Sequence, residues 1–518
     1  MITGKSLING QWFSSDKTFH SIAAKDGREL EQSYAVMGKT EADLAAQAAE
    51  AAFLQYAGLS DIQRAGFLDA AADAIETIGE EITEVAVIET GLPEARLNGE
   101  RGRTTGQLRM FANYIRAGHH RDTRIDQAQP DRAPLPRPDL RLTMRPIGPV
   151  VVFGASNFPL AFSTAGGDTA SVLAAGCPVI VKGHPGHPGT GELVAQALLA
   201  AVNKCGLPDA TFQFLQSNQN ELGEALVSHP LVSAVGFTGS LRAGRALFDR
   251  AVSREVPIPF YGELGSVNPV LLFPHALEAR GDEIAKGWAA SLTMGAWQFC
   301  TNPGIVVALK SPAFEAFCDR ASEALGGVDE QTMLNPSMAK SYNSAIEERS
   351  ASSKLGLIAG GDAPASDCAA KPAMYRATAS DWLDTHAIQS EVFGPSAIIV
   401  ECQSDDELKR VVSDLEGQLT ITLQLDEGDH AQAAGLLPVL ERKAGRLLVN
   451  GFPTGVEVAN AMMHGGPYPA STDVRATSVG TRAINRFLRP VSYQNFPNDL
   501  LPEAIKGQSA PGVRLVTS

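Results

Sequence analysis

From Pro149 onward, short apolar runs alternate with longer helical stretches, and this rhythm constrains the fold more than any other feature of the chain. Val150-Val151-Val152-Phe153 and Val179-Ile180-Val181 are continuous apolar runs of strand length, as are Phe212–Leu215 and residues 232–237. Residues 163–173, 191–202 and 243–252 between and after them read as helices. Strands without polar alternation are buried on both faces, the situation of a parallel sheet covered by helices. The pattern predicts a doubly wound α/β domain, a class that binds nucleotides beyond the carboxyl ends of its strands. A second α/β region is predicted from about residue 264 to 452, with strands at Ile305–Leu309 and residues 396–400.

The first third reads as helical after a short strand-rich start. Thr40 to Asp43 and Ser60 to Gln63 each resemble a capping box, opening helices that run to about Ala57 and Ile75. Residues 131–138 are Pro-rich and polar and predict a connection that leaves the globule, and residues 140–144 alternate like a strand. The net charge of −15 argues against a nucleic-acid surface, which needs clustered Lys and Arg. No run of about 18 apolar residues predicts a membrane span. The first ten residues hold no apolar stretch of the kind a secretory signal carries. Six cysteines without a C-x-x-C pair argue against a zinc site or redox dithiol and fit a reducing compartment. The expectation is a cytoplasmic protein with no bound metal.

Three polar residues stand where chemistry is commonly displayed. Cys300 lies in Gln298-Phe299-Cys300-Thr301-Asn302-Pro303-Gly304, a turn sequence that sets the thiol at a break between elements. Glu263 precedes it by 37 positions, between Gly262 and Leu264-Gly265, after the apolar run Ile258 to Tyr261. Asn157 follows the strand at Val150–Phe153. Most free cysteines are small buried hydrophobes, a glutamate at a strand end is commonly just solvated, and an Asn in a loop commonly caps it. The alternative is a nucleophile, a general base and an oxyanion donor. On that reading, desolvation beside the buried strand is expected to raise the pKa of Glu263, and the surroundings of Cys300 are expected to favour its thiolate.

The segments around Cys300 and Glu263, in this order and spacing, resemble the aldehyde dehydrogenase superfamily. The resemblance extends over nearly the whole chain. It includes Phe237-Thr238-Gly239-Ser240, continuing to Gly244, and Glu391-Val392-Phe393-Gly394-Pro395. It implies that Cys300 attacks an aldehyde, that Asn157 and the Cys300 N–H hold the oxyanion, and that Glu263 activates water against the thioester. Lys182 would hydrogen-bond the adenosine ribose, Gly239 and Ser240 would face the pyrophosphate, Glu391 would hold the nicotinamide ribose, and Phe393 would pack near its ring. The G-x-G-x-x-G fingerprint is absent, as it is across that family; Gly183 to Gly189 is glycine-rich with other spacing. Many NAD-preferring members carry a glutamate three residues after the ribose lysine, whose charge disfavours a 2′-phosphate. Here that position is Pro185, so NADP is the expected cofactor, with NAD the alternative.

Departures from the family are local: Glu263-Leu264-Gly265 continues into Ser266-Val267 in place of Gly-Lys. Residues 154–169 and 450–469 resemble the 2,5-dioxovalerate (α-ketoglutarate semialdehyde) dehydrogenase branch. That branch also resembles NADP-dependent fatty aldehyde dehydrogenases, so a broad-range aldehyde substrate stays open. A distal substrate carboxylate would need a cation, for which Arg475 is a candidate, with a loop role as the alternative. A CoA-acylating enzyme is disfavoured by Glu263, and an inactive protein on the same fold by the retention of Cys300, Glu263 and Asn157 together. The expected division is an NAD(P)-binding domain of residues 1–130 and 150–262, a catalytic domain of 263–452, and an oligomerisation arm and tail of 131–149 and 482–518. A small-molecule substrate, no nucleic acid, no membrane, and assembly as a homodimer or homotetramer complete the expectation. The resemblance implies that the late strand around Arg486 to Tyr493 pairs with a partner subunit.

Overall fold

The computed structural model describes residues 1–507 and 514–515; the rest of the expected tail lies outside the described residues. Helices start where local chemistry supplies a cap. Gln63 N donates to Ser60 Oγ while the Gln63 side chain accepts from Ser60 N, so the helix Asp61–Thr77 opens on the reciprocal pair read from the sequence. The cap of the helix Lys39–Ala57 is Gly38, two residues before the expected Thr40. Gly38 N donates to Glu41 Oε2 at 2.8 Å, which leaves Thr40 inside the first turn.

The first large sheet has the order Phe260–Glu263, Ala234–Thr238, Val150–Phe153, Val179–Lys182, Phe212–Leu215, Ser6–Ile8, Gln11–Phe13. The first five strands are parallel, and the N-terminal hairpin adds an antiparallel edge. The chain moves from the central strand Val150–Phe153 to one side, then crosses to the other, which creates a topological switch point. In register, Phe153 lies opposite both Lys182 and Phe237, and Thr238 lies opposite Glu263. Four strand ends therefore finish together.

Two buried glutamates shape this domain from a distance. Glu89, 1% exposed, accepts from Gly189 N and Thr190 N at 2.9 Å each and from Thr190 Oγ1 at 2.7 Å, at the start of the helix Pro188–Lys204. Gly191 N, next in line, donates to His187 O. Glu100, on the helix Glu94–Arg116, accepts from Leu160 N at 2.8 Å and Ala161 N at 2.9 Å. Glu100 thus holds the loop ahead of the next helix, which starts at Gly167, four residues after the expected 163, and runs to Ala175.

The second sheet has the order Gly356–Gly360, Ala373–Thr378, Ser396–Cys402, Ile305–Leu309, Val270–Leu272, Gln418–Gln424, Ala444–Val449, with Gly356–Gly360 as its antiparallel edge strand. Its two faces bury Trp382 on one side and Trp288 on the other. A third, small sheet joins Arg124–Asp126, Leu140–Pro146, Leu488–Gln494 and Arg514–Leu515. The expectation that the late strand pairs with a partner subunit is corrected here. All seven residues of Leu488–Gln494 pair antiparallel with Leu140–Pro146 of the same chain, because the 3₁₀ segment Thr481–Phe487 delivers them to that edge. Among the described residues no helix is long and apolar enough to cross a membrane.

The tail is anchored by charge. Arg486 donates to Asp168 Oδ1 at 2.6 Å, with 4% and 9% of the two side chains exposed. Removing one member of a buried pair strands the other in a poor dielectric. Asp168→Ala is expected to lower stability by about 3–5 kcal/mol, read as a fall in the urea midpoint. An unchanged midpoint would mean that Ser171 and the Ala483 carbonyl satisfy the guanidinium alone.

Candidate active site

Glu263 ends its strand with the carboxylate buried, 5% exposed. Cys300 sits in the turn between the 3₁₀ segment Met294–Trp297 and the strand Ile305–Leu309 of the other large sheet. The two meet through a residue that the sequence reading passed over. His464 Nε2 lies 3.1 Å from Glu263 Oε1 and 3.4 Å from Cys300 Sγ. Sulfur, imidazole nitrogen and carboxylate oxygen all fall within 4.8 Å of one another. Ser478 Oγ donates to the other carboxylate oxygen at 2.9 Å. His464 Nδ1 is buried without a hydrogen-bond partner, whereas Nε2 faces two acceptors. The ring proton is therefore best placed on Nε2.

Backbone packing fixes that histidine. Its N–H donates to Thr477 Oγ1 at 2.9 Å. A Cβ on Gly465 would fall 2.5 Å from Ala476 O, and one on Gly466 would fall 2.1 Å from Gln418 O. Only glycine lets the chain pass after His464. The available sequence signal was a histidine set before two glycines.

The electrostatics correct two expectations. Burial alone would raise the Glu263 carboxyl, but the charge and hydrogen bond of His464, with the Ser478 hydroxyl, outweigh it and hold the pKa below the ordinary value. The Cys300 thiol is pushed well above its ordinary range, first by burial and then by the neighbouring Glu263 charge. In this resting arrangement the base is ionised at neutral pH and the thiol keeps its proton.

Asn157, 7% exposed, reaches the same place. One N–H of its amide donates to Gln298 O at 2.8 Å, which leaves a second N–H on Nδ2. Arg96 ties the two loops together, donating to Asn157 O and to Gly295 O at 2.7 Å each, with its guanidinium 5.1 Å from the Phe158 ring and 4.7 Å from the Phe299 ring. Asn268, buried and in the left-handed region, donates from Nδ2 to Cys300 O and Asn302 O at 2.9 Å each. Its Oδ1 lies 2.9 Å from Ser266 Oγ, so the serine at the family departure helps to brace the Cys300 turn. Arg475, by contrast, is 86% exposed and paired with Asp473, away from the thiol.

Beside this cluster opens a cavity of about 430 Å³, lined by Ser240, Gly265, Ser266, Glu391, Val392 and Phe393. Gly265 has φ +146°, and a Cβ there would come within 2.6 Å of Glu391 Oε2. Asn302 Nδ2 donates to Gly394 O at 2.8 Å, and Arg349 holds Ser390 O and Ser396 Oγ, which fixes the Glu391–Phe393 loop. Gly239 and Ser240 are exposed at the start of the helix Leu241–Val252, and Gly239 N donates to Glu263 O at 3.1 Å. Lys182 is half-buried; burial, with no carboxylate acting on it, pulls its pKa down to about 8. Pro185 is half-buried in the loop that follows. A ligand-sized concavity with a helix start and a carboxylate on its walls suits a dinucleotide.

Comparison with known proteins places this geometry. Residues 12–487 match the aldehyde dehydrogenase family. The chain is 51% identical over 507 residues to alpha-ketoglutaric semialdehyde dehydrogenase 2 of Azospirillum brasilense, covering 98% of this chain and 97% of the relative. It is 49% identical over 505 residues to alpha-ketoglutaric semialdehyde dehydrogenase of Acinetobacter baylyi, covering 97% and 96%. In fold it is similar to a 1-pyrroline-5-carboxylate dehydrogenase from Thermus solved with bound NAD, at a TM-score of 0.81 and 21% identity over 95% of this chain and 92% of that one. The chain belongs to the aldehyde dehydrogenase family, whose members are NAD(P)-dependent oxidoreductases.

Proposed function

We propose that this chain oxidises 2,5-dioxovalerate (α-ketoglutarate semialdehyde) to 2-oxoglutarate by covalent catalysis at Cys300, with NADP as cofactor and NAD as an alternative. The observation that carries the chemistry is the contact of Cys300, His464 and Glu263 beside the cavity. The substrate is supported by the full-length likeness to two enzymes named for it.

Cys300 Sγ adds to the aldehyde carbon as its proton passes to the ionised Glu263 beside it. The second N–H of Asn157 is placed to meet the developing oxyanion. A bound NAD(P) supplies the hydride acceptor. Lys182, Gly239, Ser240, Glu391 and Phe393 would hold it along the cavity. Glu263 then releases the proton it took from Cys300 to solvent and, ionised again, deprotonates the water that hydrolyses the acyl group left on Cys300. His464 and Ser478 keep that carboxylate oriented. The arm built on Leu140–Pro146 and Leu488–Gln494, with Phe496 and Leu500 exposed near it, supports a homodimer or homotetramer. The apolar wall of Phe158, Phe162, Val456, Val458 and Met462 favours a second reading, a long-chain aldehyde.

A panel of 2,5-dioxovalerate, glycolaldehyde and a long-chain aldehyde, each with NADP and NAD, decides the substrate. The highest kcat/KM is expected for 2,5-dioxovalerate; a preference of tenfold or more for the long chain would replace the reading. Glu263→Gln removes the charge that raises the thiol, so the pH midpoint of Cys300 alkylation by iodoacetamide is expected to move down. The same variant must lose the thiol proton to solvent instead of to Glu263, so it should release one burst of reduced cofactor, slower than in the wild type, and then stall. Turnover at the wild-type rate would place the base elsewhere. Pro185→Glu sets a carboxylate three residues after Lys182 and is expected to cut kcat/KM with NADP about 10- to 100-fold relative to NAD. No change in that ratio would place the 2′-phosphate away from this loop.

A further inference from the structure

Four arginines lie near the thiol or in the loops that frame it, and three are committed. Arg96 holds Gly295 O and Asn157 O. Arg446 donates from both terminal nitrogens, to Pro453 O at 2.8 Å and Gly455 O at 3.2 Å, which shapes the loop before Val456 and leaves only its Nε without a partner. Arg475 is at the surface against Asp473. Arg103 is different. It projects from the helix Glu94–Arg116, half-buried, and its Nε and one terminal nitrogen are shut off from solvent with no hydrogen-bond partner. Its guanidinium carbon stands 5.4 Å from the Phe162 ring centroid. That ring is 6.1 Å from the His464 ring, which touches Cys300. Phe162 in turn packs among Val456, Val458 and Met462.

Buried guanidinium donors without acceptors are costly, and a native site that keeps them has a use for them. Glu100, one turn away on the same helix, spends one oxygen on Leu160 N and Ala161 N and makes no ion pair with Arg103. The Phe162 ring stands between Arg103 and His464, so an apolar wall separates the cation from the reacting centre. We propose that Arg103 is the specificity-determining residue that binds the far carboxylate of an ω-oxo acid substrate; the inference rests on the reading of the substrate given above. A 2-oxo acid presents a carboxylate oxygen and a keto oxygen side by side, a pair that the planar guanidinium fork matches. The aliphatic carbons between the two ends lie along Phe162.

The test compares kcat/KM for 2,5-dioxovalerate, 5-oxopentanoate and pentanal, which keep the aldehyde and remove the keto and then the carboxylate group. In the wild-type enzyme the first is expected to exceed pentanal by at least tenfold; a ratio near one defeats the substrate reading before any variant is made. In Arg103→Met the ratio of 2,5-dioxovalerate to pentanal is expected to fall about 10- to 100-fold, mainly through KM. Arg103→Lys should recover part of it, and inhibition by 2-oxoglutarate against pentanal should weaken in parallel. An unchanged ratio in both variants, whether from full activity or from an equal loss with all three aldehydes, overturns the assignment of Arg103 and leaves the substrate reading standing.

Discussion

A buried carboxylate at the end of one sheet and a half-buried thiol in the turn before a strand of the other are held together, and the rest of the molecule is arranged around keeping them there. Two groups that both turn negative repel each other on ionisation, so the pair is stable only while one of them carries a proton. His464 and Ser478 settle which one by stabilising the charge on Glu263. The thiol is left protonated, inert until a carbonyl stands beside it. A resting enzyme of this kind guards its nucleophile against oxidation and alkylation.

The two sheets reach this contact by opposite ends. The first finishes its strand Phe260–Glu263 at the seam, whereas the second starts its strands there, at Val270, Ile305 and Ser396, and short polar loops cross between them. Asn268 clamps the Cys300 turn from the second sheet, Arg96 pins that turn to the Asn157 loop, and Asn302 reaches the Glu391 loop. These are backbone-directed bonds from buried side chains, the kind that fix a loop to within the tolerance catalysis needs. None of them touches the reacting atoms.

Much of this was legible in the residues, and the parts that were not share a cause. Apolar runs gave the strands of both sheets, and Ser60 with Gln63 gave a helix start, because those signals are local. The start of the helix at Gly167 was misread because residues 163–167 close turns onto Leu160, Ala161 and Ser163 carbonyls, in a loop held by a glutamate about 60 positions earlier. The sense of the Glu263 shift was misread because the deciding partner, His464, stands 201 positions away. Burial is readable from an apolar neighbourhood, whereas the side chain that meets a buried charge is set by tertiary packing. Arg103 carried no pattern at all in the sequence; only its missing partners mark it.

The helix Pro188–Lys204 follows the strand Val179–Lys182, next to the strand at the switch point, and a helix start of this kind commonly seats a phosphate. Pro188 has no N–H to offer, the next two amides are taken by Glu89, and the fourth is satisfied by His187 O. An internal anion thus already occupies that helix start, and its amides have nothing left to give an outside ligand. The helix start at Ser240 is the one left open at the surface.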